Sequence, residues 1–329
     1  MKMLPEKIKL PKKFDSDELI PPNMDYPYFE RVRHTGFLYE ENDFSLENAC
    51  FLSESALLAY CHPSFVKYAF YYAGLYNYRP FIGKKVARCF TASCGDYLVV
   101  SFRGTEMKGL RSVPGFIADL KITMKKEKSG GLVHSGFREV LDEIWEGEDM
   151  LYRYLSVEKN KNPDLRIFFT GHSLGGALAL IAASRFPDAD CVYTYGCPRA
   201  GNRAFADSIK AKVYRIVNNN DIVTTVPSKK ILFAKTGEEY THKGILKFID
   251  EKGKLKDKIL NKFASDNAIK EKEIFLTLGV EELLMHVGKT RRMDFFDHSP
   301  FYYAAKLWNA YREINRGAAG KASQPLQSP

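Results

Sequence analysis

The sequence contains no long hydrophobic run. Nowhere do about 18 apolar residues follow one another, which is the length that a membrane-spanning helix requires. The opening residues, MKMLPEKIKLPKKFDSDELIPP, are charged and interrupted by prolines, and they lack the apolar core of a secretory signal peptide. From these absences we expect no transmembrane segment and a cytoplasmic location.

Cysteine is also scarce, with six residues in a chain of 329. This number is too small for a disulfide scaffold, and the spacing does not resemble a zinc site, so we expect reduced and mostly buried thiols. Lysine and arginine exceed aspartate and glutamate, which gives a formal net charge of +9. Many soluble proteins are moderately basic, and we predict no nucleic-acid partner from this charge alone.

Flexible linkers rich in glycine, serine or proline are missing as well, so the length predicts one large domain. Residues 1–44 are predicted to be an irregular N-terminal leader. Residues 45–314 are predicted to form the single domain. Residues 315–329 end in the low-complexity sequence GAAGKASQPLQSP and are predicted to be a disordered tail.

Within the domain, short apolar strands alternate with helices. The predicted strands are KKVARCFTA, YLVVSFRG, LRIFFT, CVYTYG and VYRIVN. The predicted helices are SLENACFLSESALLAY, HSGFREVLDEIWEGEDMLYRYL, LGGALALIAASRF, NRAFADSIKA and SPFYYAAKLWNAYREI. This alternation predicts an α/β fold with a mostly parallel central sheet and helices on both faces.

A lone serine stands between two glycines where one of these strands gives way to a helix. Residues Gly171 to Gly175 read G-H-S-L-G and match the nucleophile elbow, in which a strained turn exposes the serine, here Ser173. Gly171 and Gly175 fit this turn because side chains there would collide with the neighbouring strand and helix. The alternative is an ordinary helix start capped by Ser173.

A serine nucleophile requires a histidine base and a carboxylate that orients the histidine. In folds with a nucleophile elbow, the carboxylate comes after the serine in the chain and the histidine comes after the carboxylate. Asp221 is the first candidate acid, since it ends VYRIVNNND just past a predicted strand. The carboxyl ends of parallel strands are where such sheets place their sites. The alternative is that Asp221 only forms an Asx turn with the asparagines before it.

Three histidines follow Asp221 and compete for the role of base. His242 lies at the start of a possible strand, and His286 lies in an amphipathic helix, where histidine is commonly just a C-terminal charge. His298 lies in a loop that the next helix holds in place, with Ser299 as its cap and Pro300 in its first turn. We therefore favour His298.

Ester hydrolysis also requires hydrogen-bond donors for the oxyanion. The backbone N–H of Leu174, at the positive end of the new helix, is the first candidate. Thr105 is the second, since it follows a buried strand and Gly104 and offers both an N–H and a hydroxyl. Taken by itself, Thr105 is better explained as an ordinary turn residue after a glycine.

Six motifs occur in one order along the chain: SFRGTE, VHSGF, TGHSLGGALA, TYGCPRAGN, VNNNDIV and DHSPFYY. In order and spacing they resemble the class 3 (fungal-type) lipase family over about Ser45 to Tyr311. The resemblance implies an α/β-hydrolase fold with Ser173, Asp221 and His298 as catalytic triad and Thr105 with Leu174 as oxyanion hole. It also implies a lid between Thr105 and His134.

The function that these residues predict is hydrolysis of carboxylic esters of lipids, most simply acylglycerols, through an acyl-enzyme intermediate. No metal or organic cofactor is required. The alternatives are a phospholipase A1, a short-chain carboxylesterase, and a non-catalytic lipid-binding or regulatory protein on the same scaffold. The lysine-rich segment from Lys243 to Asp297 has two interpretations: a basic amphipathic face in peripheral contact with a lipid surface, or the solvated helix face that such lysines more often form.

Overall fold

The computed structural model describes residues 5–11, 19–32, 36–106, 123–227, 238–257 and 296–322, with side chains up to residue 315. The α-helices of these residues are α1 (Leu46–Leu58), α2 (Pro63–Tyr72), α3 (Ser135–Trp145), α4 (Leu151–Lys161), α5 (Leu174–Arg185), α6 (Arg203–Ser208) and α7 (Pro300–Ala322). Within this part of the chain no helix is both long and apolar enough to span a membrane.

Eight strands form the central sheet in the order β1-β2-β3-β6-β7-β8-β9-β10. They are β1 (Arg79–Ile82), β2 (Arg88–Ser93), β3 (Tyr97–Phe102), β6 (Arg166–His172), β7 (Cys191–Tyr195), β8 (Lys212–Asn218), β9 (Ile245–Ile249) and β10 (Leu255–Lys256). The five strands from β3 to β9 are parallel, and antiparallel strands extend both edges. A separate hairpin pairs β4 (Met124–Lys126) with β5 (Leu132–His134).

Helices cover both faces of this sheet, as the sequence predicts for an α/β-hydrolase fold. One core lies between the sheet and helices α1, α2 and α7, and it is rich in aromatic side chains such as Phe51, Phe70 and Trp308. The other core lies beneath α3 to α6 and includes Leu141 and Phe169. The central strands are therefore apolar on both sides, which fits the continuous hydrophobic run of YLVVSF.

The strand register gathers the functional loops at one end of the sheet. Phe102 at the end of β3 lies beside Gly171 of β6, and Gly171 lies beside Thr194 of β7. Tyr195 of β7 pairs in turn with Ile216 of β8. The segments that leave β3, β6, β7 and β8 thus start next to one another, at the carboxyl ends of parallel strands.

The segment 134–155, predicted as one helix, is two helices, and that prediction is wrong. Helix α3 ends at Trp145, where Glu146 adopts an extended backbone with φ −110° and ψ 136°. Gly147 then has φ +145°, which lies outside the helical region, and α4 begins at Leu151. The apolar spacing continues across the break because both helices cover the same core.

The described N-terminal residues, 5–11, 19–32 and 36–44, pack against the domain and contain no strand or long helix. Tyr26, Phe29 and Val32 are buried in the aromatic core. Glu54 of α1 fixes this packing, since its carboxylate accepts hydrogen bonds from the Tyr26 hydroxyl at 2.8 Å and the Phe29 N–H at 2.6 Å. At the other end of the chain α7 continues to Ala322, within the segment for which the sequence predicts a disordered tail.

Candidate active site

The strand β6 passes directly into α5 through Ser173, which has a strained backbone. Its φ of 57° and ψ of −127° are rare for a residue with a side chain, as expected of a nucleophile elbow. The turn can be this tight because Gly175 carries no side chain. A methyl group there would lie 2.2 Å from the carbonyl oxygen of Phe102 at the end of β3.

Three side chains from distant parts of the chain meet at this elbow. The Ser173 Oγ lies 3.0 Å from Nε2 of His298. On the other side of the ring, Nδ1 of His298 lies 3.0 Å from both carboxylate oxygens of Asp221. All three residues are buried, with relative exposures of 4, 2 and 2%. This chain of contacts is the arrangement by which a histidine activates a serine hydroxyl.

Asp221 is held by two further hydrogen bonds. Its Oδ1 accepts from the N–H of Val223 at 3.0 Å, which forms an Asx turn with the residues that follow Asp221 and not with the asparagines before it. Its Oδ2 accepts from the hydroxyl of Tyr303 on α7 at 2.5 Å. Burial and the nearby carboxylate raise the pKa of Tyr303 well above its ordinary value, so this hydroxyl remains protonated and donates.

His298 lies in the short turn 296–299 in front of α7, which begins at Pro300 as predicted. The hydroxyl of Ser299 donates to the carbonyl of Leu19 at 2.7 Å and ties this turn to the N-terminal segment. The carbonyl oxygen of His298 lies 2.7 Å from Nε2 of His172, the residue before the nucleophile. The turn that carries His298 is therefore anchored at two points.

His172 belongs to a second hydrogen-bond network behind the elbow. Burial, and then the neighbouring His298, lower the pKa of His172 well below its ordinary value, so the ring is neutral and cannot donate from both nitrogens. Its Nε2 donates to His298, and its Nδ1 accepts from the Tyr60 hydroxyl at 2.9 Å. Tyr60 in turn accepts a hydrogen bond from the N–H of Gly104.

The two residues predicted to bind the oxyanion follow neighbouring strands. Leu174 is the first residue of α5, directly after Ser173, where helix N–H groups lack intrahelical partners. Thr105 is half-buried and lies three residues beyond the end of β3. Between them, the Gly104 backbone packs against the elbow, since a methyl group on Gly104 would lie 2.7 Å from the His172 carbonyl oxygen.

Of the two competing histidines, only His242 lies in the described part of the chain, and its ring is bonded away from the nucleophile. The Nε2 of His242 donates to the carbonyl of Thr224 at 2.8 Å, and this half-buried ring is neutral because desolvation, with the charges of Arg215 and Arg199, lowers its pKa. His286 lies outside the described residues. So do the predicted lid residues 107–122 and most of the lysine-rich segment, from residue 258 onward.

Sequence reasoning missed three residues that shape this site: Tyr60, Tyr303 and Gly196. Gly196 directly follows β7 and has φ +58°, and a methyl group there would lie 2.6 Å from Oδ2 of Asp221 and 3.0 Å from Nδ1 of His298. The first glycine of the motif TYGCPRAGN is Gly196, and it was the sequence signal from which this residue could have been identified. Among the described residues, no group of three or more histidine, cysteine or acidic side chains is placed to hold a metal ion.

Comparison with known proteins gives one family and several relatives. The sequence model of the family Lipase (class 3) matches residues 99–231. Over 116 residues the chain is 35% identical to the secreted mono- and diacylglycerol lipase 1 of Fusarium solani, covering 33% of each protein. Over 149 residues it is 32% identical to the chloroplastic phospholipase A(1) DAD1 of Arabidopsis thaliana, covering 40% of this chain and 33% of the relative.

A solved structure matches over a larger part of the chain. The crystal structure of the lipase from Rhizopus microsporus var. chinensis superposes with a TM-score of 0.50 and 27% identity, covering 63% of this chain and 75% of that one. By contrast, the chain spans about a third of the length of the two curated relatives named above. The residues that match the family model include the elbow and Asp221, and His298 lies beyond them.

Proposed function

We propose that the chain, which matches the class 3 lipase family model over residues 99–231, is a serine hydrolase that cleaves carboxylic esters of lipids, with acylglycerols as the first candidate substrates. The observation that carries the proposal is the continuous contact from Ser173 through His298 to Asp221. A binding protein has no use for three such groups in this order, since each contact serves proton transfer from the serine.

Acylation starts with proton transfer along these contacts. The N–H at Nδ1 of His298 donates a hydrogen bond to Asp221 and keeps its proton, which leaves the unprotonated Nε2 to accept the proton of the Ser173 hydroxyl at 3.0 Å. As the proton moves, Oγ attacks the ester carbonyl carbon and the carbonyl oxygen becomes negatively charged. The imidazolium that forms is stabilised by the carboxylate beside it.

The N–H of Leu174, together with Thr105, is the proposed donor set for the oxyanion. When the tetrahedral intermediate collapses, the C–O bond to the leaving alcohol breaks and Nε2 of His298 returns its proton to that oxygen. A water molecule then gives a proton to the same nitrogen and attacks the acyl-enzyme. The acid leaves, Ser173 recovers its proton, and no cofactor takes part.

Hydrolysis of p-nitrophenyl esters from acetate to palmitate, by the native protein and by Ser173→Ala, tests the proposal. We expect turnover by the native protein and a loss of at least about 1,000-fold in the variant. A fluorophosphonate probe should label the native protein only. If the native protein is folded, hydrolyses no ester and takes up no probe, the catalytic proposal is wrong and lipid binding becomes the better explanation.

A phospholipase A1 activity is the second candidate, favoured by the similarity to a relative that bears this name. The two candidates differ in the headgroup that the site must admit beside the scissile ester. Release of fatty acid from dioleoylglycerol and from dioleoyl-phosphatidylcholine, dispersed in the same detergent, distinguishes them. A preference for short soluble esters over both would instead identify a carboxylesterase.

We also propose that the turn between β1 and β2 contacts the lipid surface. This turn lies at the same end of the sheet as Ser173, since β2 begins beside the end of β3. Ile82 and Val86 are 53 and 52% exposed, and the lysines between them, Lys84 and Lys85, are exposed as well. Exposed aliphatic side chains next to lysines favour contact with an anionic lipid surface.

Vesicle sedimentation tests this contact, with phosphatidylcholine vesicles that contain or lack phosphatidylglycerol. We expect the double variant Ile82→Ser/Val86→Ser to bind anionic vesicles more weakly while it hydrolyses p-nitrophenyl acetate at the native rate. Ile245→Ser is the matched control, because Ile245 is 56% exposed and begins β9 at the opposite end of the sheet. Equal loss of binding in both variants would contradict the proposed surface.

A further inference from the structure

A second buried carboxylate lies behind the proposed base. Asp297 directly precedes His298, and its Oδ2 accepts from Nδ2 of Asn219 at 2.8 Å and from the N–H of Asn220 at 3.2 Å. The carbonyl oxygen of Asp297 also accepts from Nδ2 of Asn218 at 2.8 Å. Asp297 therefore binds all three residues that lead into Asp221 and joins the loop of the acid to the loop of the base.

The ammonium group of Lys306 completes this cluster from α7. Its Nζ lies 2.7 Å from Oδ1 of Asn218 and 3.4 Å from Oδ1 of Asp297, and the side chain is only 8% exposed. Burial raises the pKa of Asp297, and the positive charge of Lys306 opposes this shift and favours the carboxylate. An ionised carboxylate accepts hydrogen bonds more strongly than a neutral one.

Lys306 also fixes the orientation of the Asn218 amide. A buried ammonium is costly unless oxygen atoms surround it, so Oδ1 of Asn218 must face Lys306. The NH2 group of the same amide then points at Asp297, where it makes its two contacts of 2.8 and 3.3 Å. We refer to Lys306, Asn218 and Asp297 as the lysine cluster.

We propose that Lys306 is a positioning residue for the ester hydrolysis: through Asn218 and Asp297, its ammonium group holds the loops of Asp221 and His298 in register. This inference rests on the proposed function. Lys306 makes no contact with Ser173 among the described interactions, so it acts only through the other members of the lysine cluster.

The first variant to measure is Lys306→Met, which keeps the length of the side chain and removes the charge and the donors. We expect kcat for a soluble ester to fall at least 10-fold with KM within twofold of native, because the substrate site is untouched. Lys306→Arg retains the charge and should recover at least a third of native kcat. Lys247→Met is the control, since Lys247 is 14% exposed and pairs with Asp257 away from the triad.

A spectroscopic readout separates positioning from loss of folding. The His298 Nδ1 proton should give a low-field proton resonance in the native protein and in Ser173→Ala, assigned by its absence from His298→Ala. In folded Lys306→Met we expect this resonance to shift or to broaden by exchange, and in Lys247→Met to stay unchanged. If Lys306→Met does not fold, Lys306→Gln, which keeps a donor but no charge, takes its place with the same expectations.

The outcomes distinguish this inference from the proposed function. A native protein that hydrolyses no ester refutes the function, and the resonance still tests the register of the two loops. An unchanged resonance in the folded Lys306 variant overturns the positioning role. The same conclusion follows if kcat stays native, or if Lys306→Arg loses as much kcat as Lys306→Met.

Discussion

The hydroxyl of Tyr303 lies 2.5 Å from Oδ2 of Asp221, and the same hydroxyl oxygen accepts the N–H of Asn218 at 3.1 Å. Helix α7 therefore contributes a hydrogen-bond donor to the proposed acid. This donor, Tyr303, lies only five residues after His298 in the chain. Both partners of the Asp221 to His298 contact depend on how this helix packs. The position of α7 thus sets the geometry of the acid and the base together.

Replacement of Tyr303 by phenylalanine should lower kcat with little change in KM. The variant removes one donor from a buried carboxylate, and a hydrogen bond to a charged group contributes roughly 1.5–3 kcal/mol. If the interaction is fully used in the transition state, we expect a loss of about 10-fold to 100-fold in kcat. Steady-state kinetics with p-nitrophenyl butyrate measure kcat and KM for the variant and for the native protein.

The matched control for this variant is Tyr302→Phe. Tyr302 is its neighbour on α7, but its hydroxyl donates to the carbonyl of Pro11 at 2.8 Å, away from the triad. Tyr302→Phe should therefore keep native kcat and lose only stability. Equal kinetic losses in the two variants would mean that the hydroxyl of Tyr303 has no special role.

Replacement of Gly196 by alanine should impair catalysis through Asp221. Gly196 has φ +58°, and the added methyl group would lie 2.6 Å from Oδ2 of Asp221. Gly74→Ala is a control for the backbone strain, since Gly74 has φ +87° and no atom within 4 Å of the added methyl group. Both variants should lose roughly 1 kcal/mol of stability from the positive φ.

Only Gly196→Ala should also lose activity, by at least about 10-fold in kcat. Thermal unfolding and esterase kinetics on the same preparations separate the two effects. If Gly196→Ala turned over ester at the rate of Gly74→Ala, the close approach to the acid would be of no catalytic consequence.

The fold and the three triad candidates could be predicted because their signals are local. An apolar strand that passes into a helix through G-x-S-x-G fixes the elbow within five residues, and Asp221 lies three residues beyond the end of β8. The three side chains that these patterns name are the ones that the structure brings within hydrogen-bonding distance. For the same reason the alternation of strands and helices indicated the parallel sheet, and the structure confirms it.

The residues that sequence reasoning missed depend on contacts between distant segments. Tyr303 reaches Asp221 across 82 positions, and Tyr60 reaches His172 across 112. Neither contact leaves a periodic pattern in its own segment. A tyrosine in a predicted helix is therefore interpreted only as a residue of the hydrophobic core. The break after Trp145 was missed because apolar spacing reports which face is buried and does not report whether one helix or two bury it.

His242 offers a test of which histidine acts as base. Its Nε2 donates to the Thr224 carbonyl at 2.8 Å, and a glutamine amide can make the same hydrogen bond. We therefore expect His242→Gln to keep kcat within about threefold of native, whereas His298→Gln should lose about 1,000-fold or more. The reverse ranking of the two variants would assign the base to His242.

Glu54 should make the stability of the protein depend on pH. Burial raises its pKa from 4.5 to about 7, against the opposing hydrogen bonds from Phe29 and Tyr26 and the charge of Arg31. The folded state thus favours the protonated carboxyl. The contribution of Glu54 to stability is complete below its unfolded pKa and is lost as the pH rises through about 7, on the order of 3 kcal/mol in total.

The variant Glu54→Gln should remove this dependence, because an amide mimics the protonated acid: its oxygen can accept from Phe29 and its NH2 can donate to Tyr26. Urea unfolding at about pH 5 and pH 8 measures the effect. We expect the native protein to lose more stability than the variant between these values, and the variant to be the more stable at pH 8. Glu148→Gln, at an exposed position whose charge does not act on Glu54, should follow the native protein. If Glu54→Gln lost as much stability as the native protein over this range, Glu54 would already be ionised in the folded state at pH 5.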